Sequence, residues 1–182
     1  MRWGLLIVTL LAVCALGAPA TAQQRRPEPP AAGWAMPPQD FNFNFNTVSF
    51  AVGAQVMATD IDECVTGPAA RSCEMAFGSI LGGAITTTTD ARRLTEVTVI
   101  LPRGAARGRT ADPAQELTKT ILTLAALLEP RSTERERTNL IQAIFAGGAP
   151  TAQPRRTRFR GTDFEISLAP AMALFVVARP AR

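Results

Sequence analysis

Two capped helical segments stand almost end to end in the middle of this 182-residue chain, and they divide the rest into strand-like halves. Asp112 has the residue type of an N-cap, Pro113 suits the first helical position, and Gln115 completes a capping box. Leu117, Ile121, Leu124 and Leu128 then recur at spacings of three and four, which makes one apolar face, and Pro130 ends it. Ser132 or Thr133 caps the second segment, whose apolar face is Leu140, Ile141, Ile144 and Phe145 until Gly147-Gly148. Only a few residues join the two, so they are expected to fold back as an antiparallel helical hairpin.

Strand patterns flank this hairpin. Glu74 to Thr89 and Leu94 to Leu101 (LTEVTVIL), joined by Asp90-Ala91-Arg92-Arg93, read as a β-hairpin with Val97, Val99 and Leu101 on one face. After the helices, Asp163 to Leu168 alternates Phe164, Ile166 and Leu168 against Glu165 and Ser167. Met172 to Ala178 (MALFVVA) is apolar on both faces, as a central strand would be. The order strands, helix pair, strands predicts an α+β fold: an antiparallel sheet with the two-helix antiparallel hairpin packed on one face.

The N-terminus sets the compartment. Arg2 precedes the run LLIVTLLAVCAL and the small-residue tail GAPATAQ, the pattern of a signal peptide cut before Gln23. The apolar run is about 12 residues, short of the roughly 20 that span a bilayer, so no transmembrane span is expected in the mature chain. A lipoprotein anchored through Cys14 is the alternative, with bulky Val13 counting against it. Gln23 to Gln39, with Pro27, Pro29, Pro30, Pro37 and Pro38, reads as a flexible tether of polyproline character. The expected organisation is therefore signal peptide 1–22, tether 23–39 and a single domain over 40–182, exported to the periplasm or beyond. Cys64 and Cys73, around Gly67-Pro68, read as a local disulfide in such a compartment.

In DFNFNFN, Asp40 to Asn46, the strict alternation sets Phe41, Phe43 and Phe45 on one side of an extended chain, about 13 Å from first to last. Two uses fit: a core-facing strand, or an exposed aromatic surface for a partner. From Thr47 to Val56 the strand template, with Val48, Phe50, Val52, Ala54 and Val56, matches better than a helix beginning at Thr47.

Missing residues exclude whole chemistries. There is no histidine and no tyrosine, so Ser-His-Asp and Cys-His sites cannot be built, and zinc chemistry lacks its ligands. No cofactor is expected. Carboxylates remain: Asp60 and Asp62, with Glu74 brought near by the disulfide, are weak candidates for a hard metal or a small carboxylate-dependent hydrolase, though no calcium-loop pattern accompanies them. Lys119, the only lysine, fits a solvated helix face beside Thr118, Thr120 and Thr123 better than a Ser-Lys site.

The other cations are arginines. Arg156, Arg158 and Arg160 alternate in PRRTRFRG, and Arg103, Arg107 and Arg109 sit in the glycine-containing LPRGAARGRT. Together they are candidates for binding an anionic envelope component, against the plainer reading of a charged strand guarding a sheet edge. Nucleic acid is disfavoured, because no module signature accompanies the charge. The sequence thus predicts a non-enzymatic exported domain binding an envelope partner or anionic ligand, through arginines or the aromatic segment, with the carboxylate hydrolase as the alternative.

Overall fold

The computed structural model describes residues 33–60, 64–104, 112–169 and 173–182. The expected signal peptide, Cys14, the first part of the expected tether, Asp62, Arg107 and Arg109 lie outside those residues. The strands are β1 (Ala58–Asp60), β2 (Val65–Thr66), β3 (Arg71–Phe77), β4 (Leu81–Thr87), β5 (Leu94–Pro102), β6 (Arg155–Phe159), β7 (Thr162–Ala169) and β8 (Ala173–Pro180). They form one antiparallel sheet in the order β1, β3, β4, β5, β8, β7, β6, with β2 paired to β3 at the opposite end of that strand from β1. Helices α1 (Pro38–Ala51), α2 (Pro113–Leu128) and α3 (Glu134–Phe145) pack against it. The α+β architecture and the central position of Ala173–Ala178, in β8 between β5 and β7, agree with the sequence reading.

Alternation assigns the two faces of the sheet. Val97, Val99, Val176, Ala178, Phe164 and Ile166 are buried and join the helix residues Leu117, Ile121, Leu124, Leu140 and Ile144 in one core. Their strand neighbours Glu96, Glu165 and Arg179 point to the other face, where Arg179 bonds Glu96. The long strand expected over 74–89 is instead two strands, because Gly78, with φ of 65°, turns the chain after Phe77.

DFNFNFN is helical, which corrects the strand expectation. Pro38 occupies the first turn with a φ already suited to a helix, and Asp40 complements the helix dipole there. Phe41 and Phe45 lie one turn apart and are fully buried, with ring centroids 5.8 Å from each other and 6.2 and 5.3 Å from Phe77. Burial of two aromatic side chains outweighs the poor helix propensity of asparagine, which amounts to a few tenths of a kcal/mol per residue, roughly 0.7 at most. The strand expected over Thr47–Val56 is also absent. The helix runs on to Ala51, and Gly53, with φ of 71°, closes it: its amide bonds Phe50 O at 3.1 Å and the Ala54 amide bonds Ser49 O at 2.9 Å.

The expected hairpin of two helices is present as α2 and α3. Asp112 caps α2 through the Ala114 amide at 2.9 Å, and Thr133 caps α3 in a reciprocal capping box with Glu136. The third helix, α1, lies on the far side of α2 from α3, so α2 is covered on two flanks. Thr120 and Thr123, expected on an exposed polar side, are therefore fully buried, and their hydroxyls donate to the carbonyls of Glu116 and Lys119, each at 2.9 Å.

The domain also reaches further toward the N-terminus than composition suggests. Trp34 exchanges backbone hydrogen bonds with Leu94 at 2.8 and 3.0 Å, and the Arg93 guanidinium donates to Gly33 O at 2.9 Å. Residues 33–39, read as tether, thus belong to the fold. Among the described residues no helix is long and apolar enough to cross a membrane.

Candidate functional site

The side of α1 that faces away from the core carries the largest exposed aromatic groups among the described residues. Residues 41, 45 and 49 of a helix share one face, and 43, 47 and 50 share the opposite one. Phe43 is 73 % exposed and Phe50 66 % exposed. The aromatic surface expected from Phe41, Phe43 and Phe45 is therefore not formed: two of the three are core, and Phe43 stands outward with Phe50, a residue the sequence reading had assigned to a strand.

The surroundings of this face are fixed. Asn46 pins the helix to β1, accepting from the Ala58 amide at 2.6 Å and donating to the Ala58 carbonyl at 3.1 Å. Buried Ser49 accepts from the Val56 amide at 2.8 Å. Met57, between those two anchored residues, is 46 % exposed and lines a cleft beside the β3–β4 turn. The Phe43 and Phe50 side chains stand on a rigid support.

Of the arginine candidates, Arg156, Arg158 and Arg160 pair with carboxylates of the same chain. Arg156 and Arg158 do share the outward face of the edge strand β6, but Arg156 lies 3.3 Å from Glu165 and Arg158 forms a two-pronged pair with Asp163 at 2.9 and 3.2 Å. The Arg158 hydrogen bonds hold the Asp163 carboxyl below its ordinary range, and the same bonds raise the Arg158 guanidinium. Arg160 leaves the row altogether. Its φ of 53° in the β6–β7 turn directs it to Glu136 on α3, at 2.7 Å. Glu136 is held down at about 2, first by the Thr133 amide, then by the Thr133 hydroxyl and Arg160. Arg103 is exposed just beyond β5. Arg156 and Arg158 are thus paired along the outward face of β6, while Arg160 is turned to α3.

Of the carboxylate candidates, the two among the described residues, Asp60 and Glu74, do not converge. Asp60 is the cross-strand partner of Met75, so its neighbour in register, Glu74, points to the opposite face of the sheet. The disulfide between Cys64 and Cys73 is present, with Cα atoms 4.1 Å apart, yet it does not bring Glu74 to Asp60. Among the described residues no cluster of three potential metal ligands occurs.

Two hollows lie beside the helices, and sequence reasoning missed Ser79 and Glu116 in the one and Arg71 in the other. A cleft of about 520 Å³ opens between the β3–β4 turn and the start of α2, lined by Met57, Ser79, Asp112, Glu116 and Lys119. In it Glu116 accepts from both the Ser79 amide and, at 3.2 Å, the Ser79 hydroxyl. That arrangement occupies the carboxylate in holding the turn. A second hollow of about 490 Å³ lies beside the disulfide, where Arg71 Nε is buried without a hydrogen-bond partner among the described residues. No spacing in the sequence marks either one, since each is assembled from segments far apart along the chain.

No protein-family model matches the chain, and neither a curated protein nor a solved structure matches it.

Proposed function

We propose that this chain is a non-enzymatic domain of the cell envelope or its exterior that works by docking to a partner, and that the outward face of α1 is its docking surface. The observation that carries the reading is the pair Phe43 and Phe50, largely solvent-exposed on a helix whose other side is sealed into the core. Exposure of two large aromatic side chains on one rigid face is unfavourable in a free protein and becomes favourable when a partner covers them. The disulfide fits an oxidising compartment outside the cytoplasm. The arginines, engaged with Asp163, Glu165 and Glu136, support an anionic-ligand role less well.

The test is a photo-crosslinking amino acid placed in turn at positions 43 and 50 in producing cells, with position 72 on the other face of the sheet as control. Discrete adducts from 43 and 50 but not from 72 are expected. Equal labelling at all three positions, or none, would remove α1 as the docking face.

A further inference from the structure

We infer that the hollow beside the disulfide is a binding site for a short peptide with free ends, its C-terminal carboxylate held by Arg71 and its N-terminal ammonium by Asp60. Binding here does not depend on what covers Phe43 and Phe50. Residues 71, 73 and 75 of β3 share one face of the sheet, and Cys73 and Met75 are core on the side where the helices pack. Arg71 therefore projects to that side, and so does Asp60, the cross-strand partner of Met75. Ile85, opposite Cys73, is fully buried and forms an apolar lining with the disulfide. Pro38 and Gln39, at the start of α1, complete the hollow.

Charge defines what can enter. Arg156, Arg158, Arg160 and Arg179 each meet a carboxylate, whereas Arg71 meets none among the described residues. Its Nε is buried without an acceptor, an unfavourable state for a charged donor that an incoming carboxylate relieves with a two-pronged contact. The start of α1 beside it has no side-chain cap, because its N-cap is Pro37, so the positive end of the helix dipole adds to the pull on an anion. Asp60 sets the limit. It lines the same hollow, is exposed, and pairs neither with Arg71 nor with another cation among the described residues, so it repels a second negative charge and attracts an ammonium. The ligand that satisfies both carries one charge of each sign.

Span decides its length. Arg71 and the position opposite Asp60 are four residues apart on β3, about 13 Å, and the two side chains take up part of that distance. The charged ends of a free amino acid are only about 2.5 Å apart, whereas an extended peptide of two or three residues separates them by roughly 6–10 Å. The hollow, at about 490 Å³, has the size of a site for a ligand of that kind.

Calorimetric titration of the protein as isolated from its producing cells, with alanyl-leucyl-alanine as the probe, tests the site. Saturable binding is expected, with the N-acetylated peptide, the peptide amide and free leucine each bound at least about tenfold more weakly. Arg71→Gln should weaken binding of the free peptide at least about tenfold. Asp60→Asn should bind the free and the N-acetylated peptide alike, a change of preference that a general loosening of the fold would not produce, so this variant carries the test should Arg71→Gln fail to fold. No saturable binding, an N-acetylated or amidated peptide bound as tightly as the free one, or either folded variant binding like the unaltered protein would each overturn the inference. Inorganic phosphate bound more tightly than the peptide would overturn it too, and leave a simple anion site.

Discussion

Glu116, in the first turn of α2, accepts hydrogen bonds from both the amide and the hydroxyl of Ser79, so a helix carboxylate holds the turn that joins β3 to β4. Gly78 makes the approach possible. A Cβ at that position would collide with the Glu116 carboxylate, and its φ of 65° is itself unfavourable for other residues.

Gly78→Ala is therefore expected to lower stability by about 2–4 kcal/mol, combining the clash with the backbone strain. In a Glu116→Ala background the same substitution should cost only the backbone component, about 1–2 kcal/mol. Urea denaturation of the four proteins in this cycle measures both numbers. Equal penalties in the two backgrounds would show that Glu116 does not depend on the missing side chain.

The disulfide should contribute on the order of 2.7 kcal/mol, as expected for closing a loop of about ten residues. Because Cys73 is buried in the core, serine replacement of both cysteines should cost at least that much. Comparing the urea midpoint of the oxidised protein with that of the Cys64→Ser/Cys73→Ser protein checks it, and coincident midpoints would contradict it.

Asn46 ties α1 to β1 through both backbone groups of Ala58. Asn46→Ala leaves those groups without their partner and should cost about 1–3 kcal/mol. The matching fall in Tm is roughly 2–4 °C per kcal/mol for a chain of this size. Asn46→Asp keeps the acceptor and loses the donor, so its Tm should lie between the two. A Tm for Asn46→Ala equal to that of the unaltered protein would mean that α1 is held by Phe41, Phe45 and the Ser49–Val56 bond without help from Asn46.

Glu136 gives the fold an acid sensitivity with a defined window. Its carboxyl is depressed from an ordinary 4.5 to about 2 in the folded protein, so the folded state favours the charged form. The contribution is complete above pH 4.5 and is lost as the pH falls through about 2. Glu136→Gln should consequently melt below the unaltered protein at neutral pH, with the difference shrinking between pH 4.5 and pH 2. A difference in Tm that stays constant across that range would place the stabilisation elsewhere than in the ionised capping box.

What could be read in the sequence was whatever rests on neighbours close along the chain. The caps at Asp112 and Thr133, the apolar faces of α2 and α3, the β4–β5 hairpin, the Cys64–Cys73 bond and the strands β7 and β8 all follow from local spacing. DFNFNFN misled for a specific reason. Residues 41 and 45 satisfy a period of two and a helical spacing of four equally well, and position 43 alone separates the alternatives. The helical signals were Pro38 at one end and Gly53 at the other. The ion pairs of Arg156, Arg158 and Arg160 were not legible, because their partners Glu165, Asp163 and Glu136 come from other elements and meet them only once the strands are in register. The clefts could not be read at all, since Ser79 and Glu116 lie 37 positions apart.

The place of β8 bears on the order in which the fold can be completed. Among the described residues five strands precede α2 and α3 in sequence, yet β5, which ends that half, pairs on its far edge with β8, from Val97 opposite Ala178 to Pro102 opposite Ala173. Glu129 at the end of α2 likewise waits for Thr162, whose hydroxyl it accepts at 2.8 Å. Until the C-terminal strands have formed, the central strand β5 is therefore paired on one side only, to β4, and α2 is unsecured at one end. The sheet is complete only when the final residues have arrived. Loss of even the last strand would leave a bare apolar edge in the middle of the molecule, so completion is decided at the C-terminus.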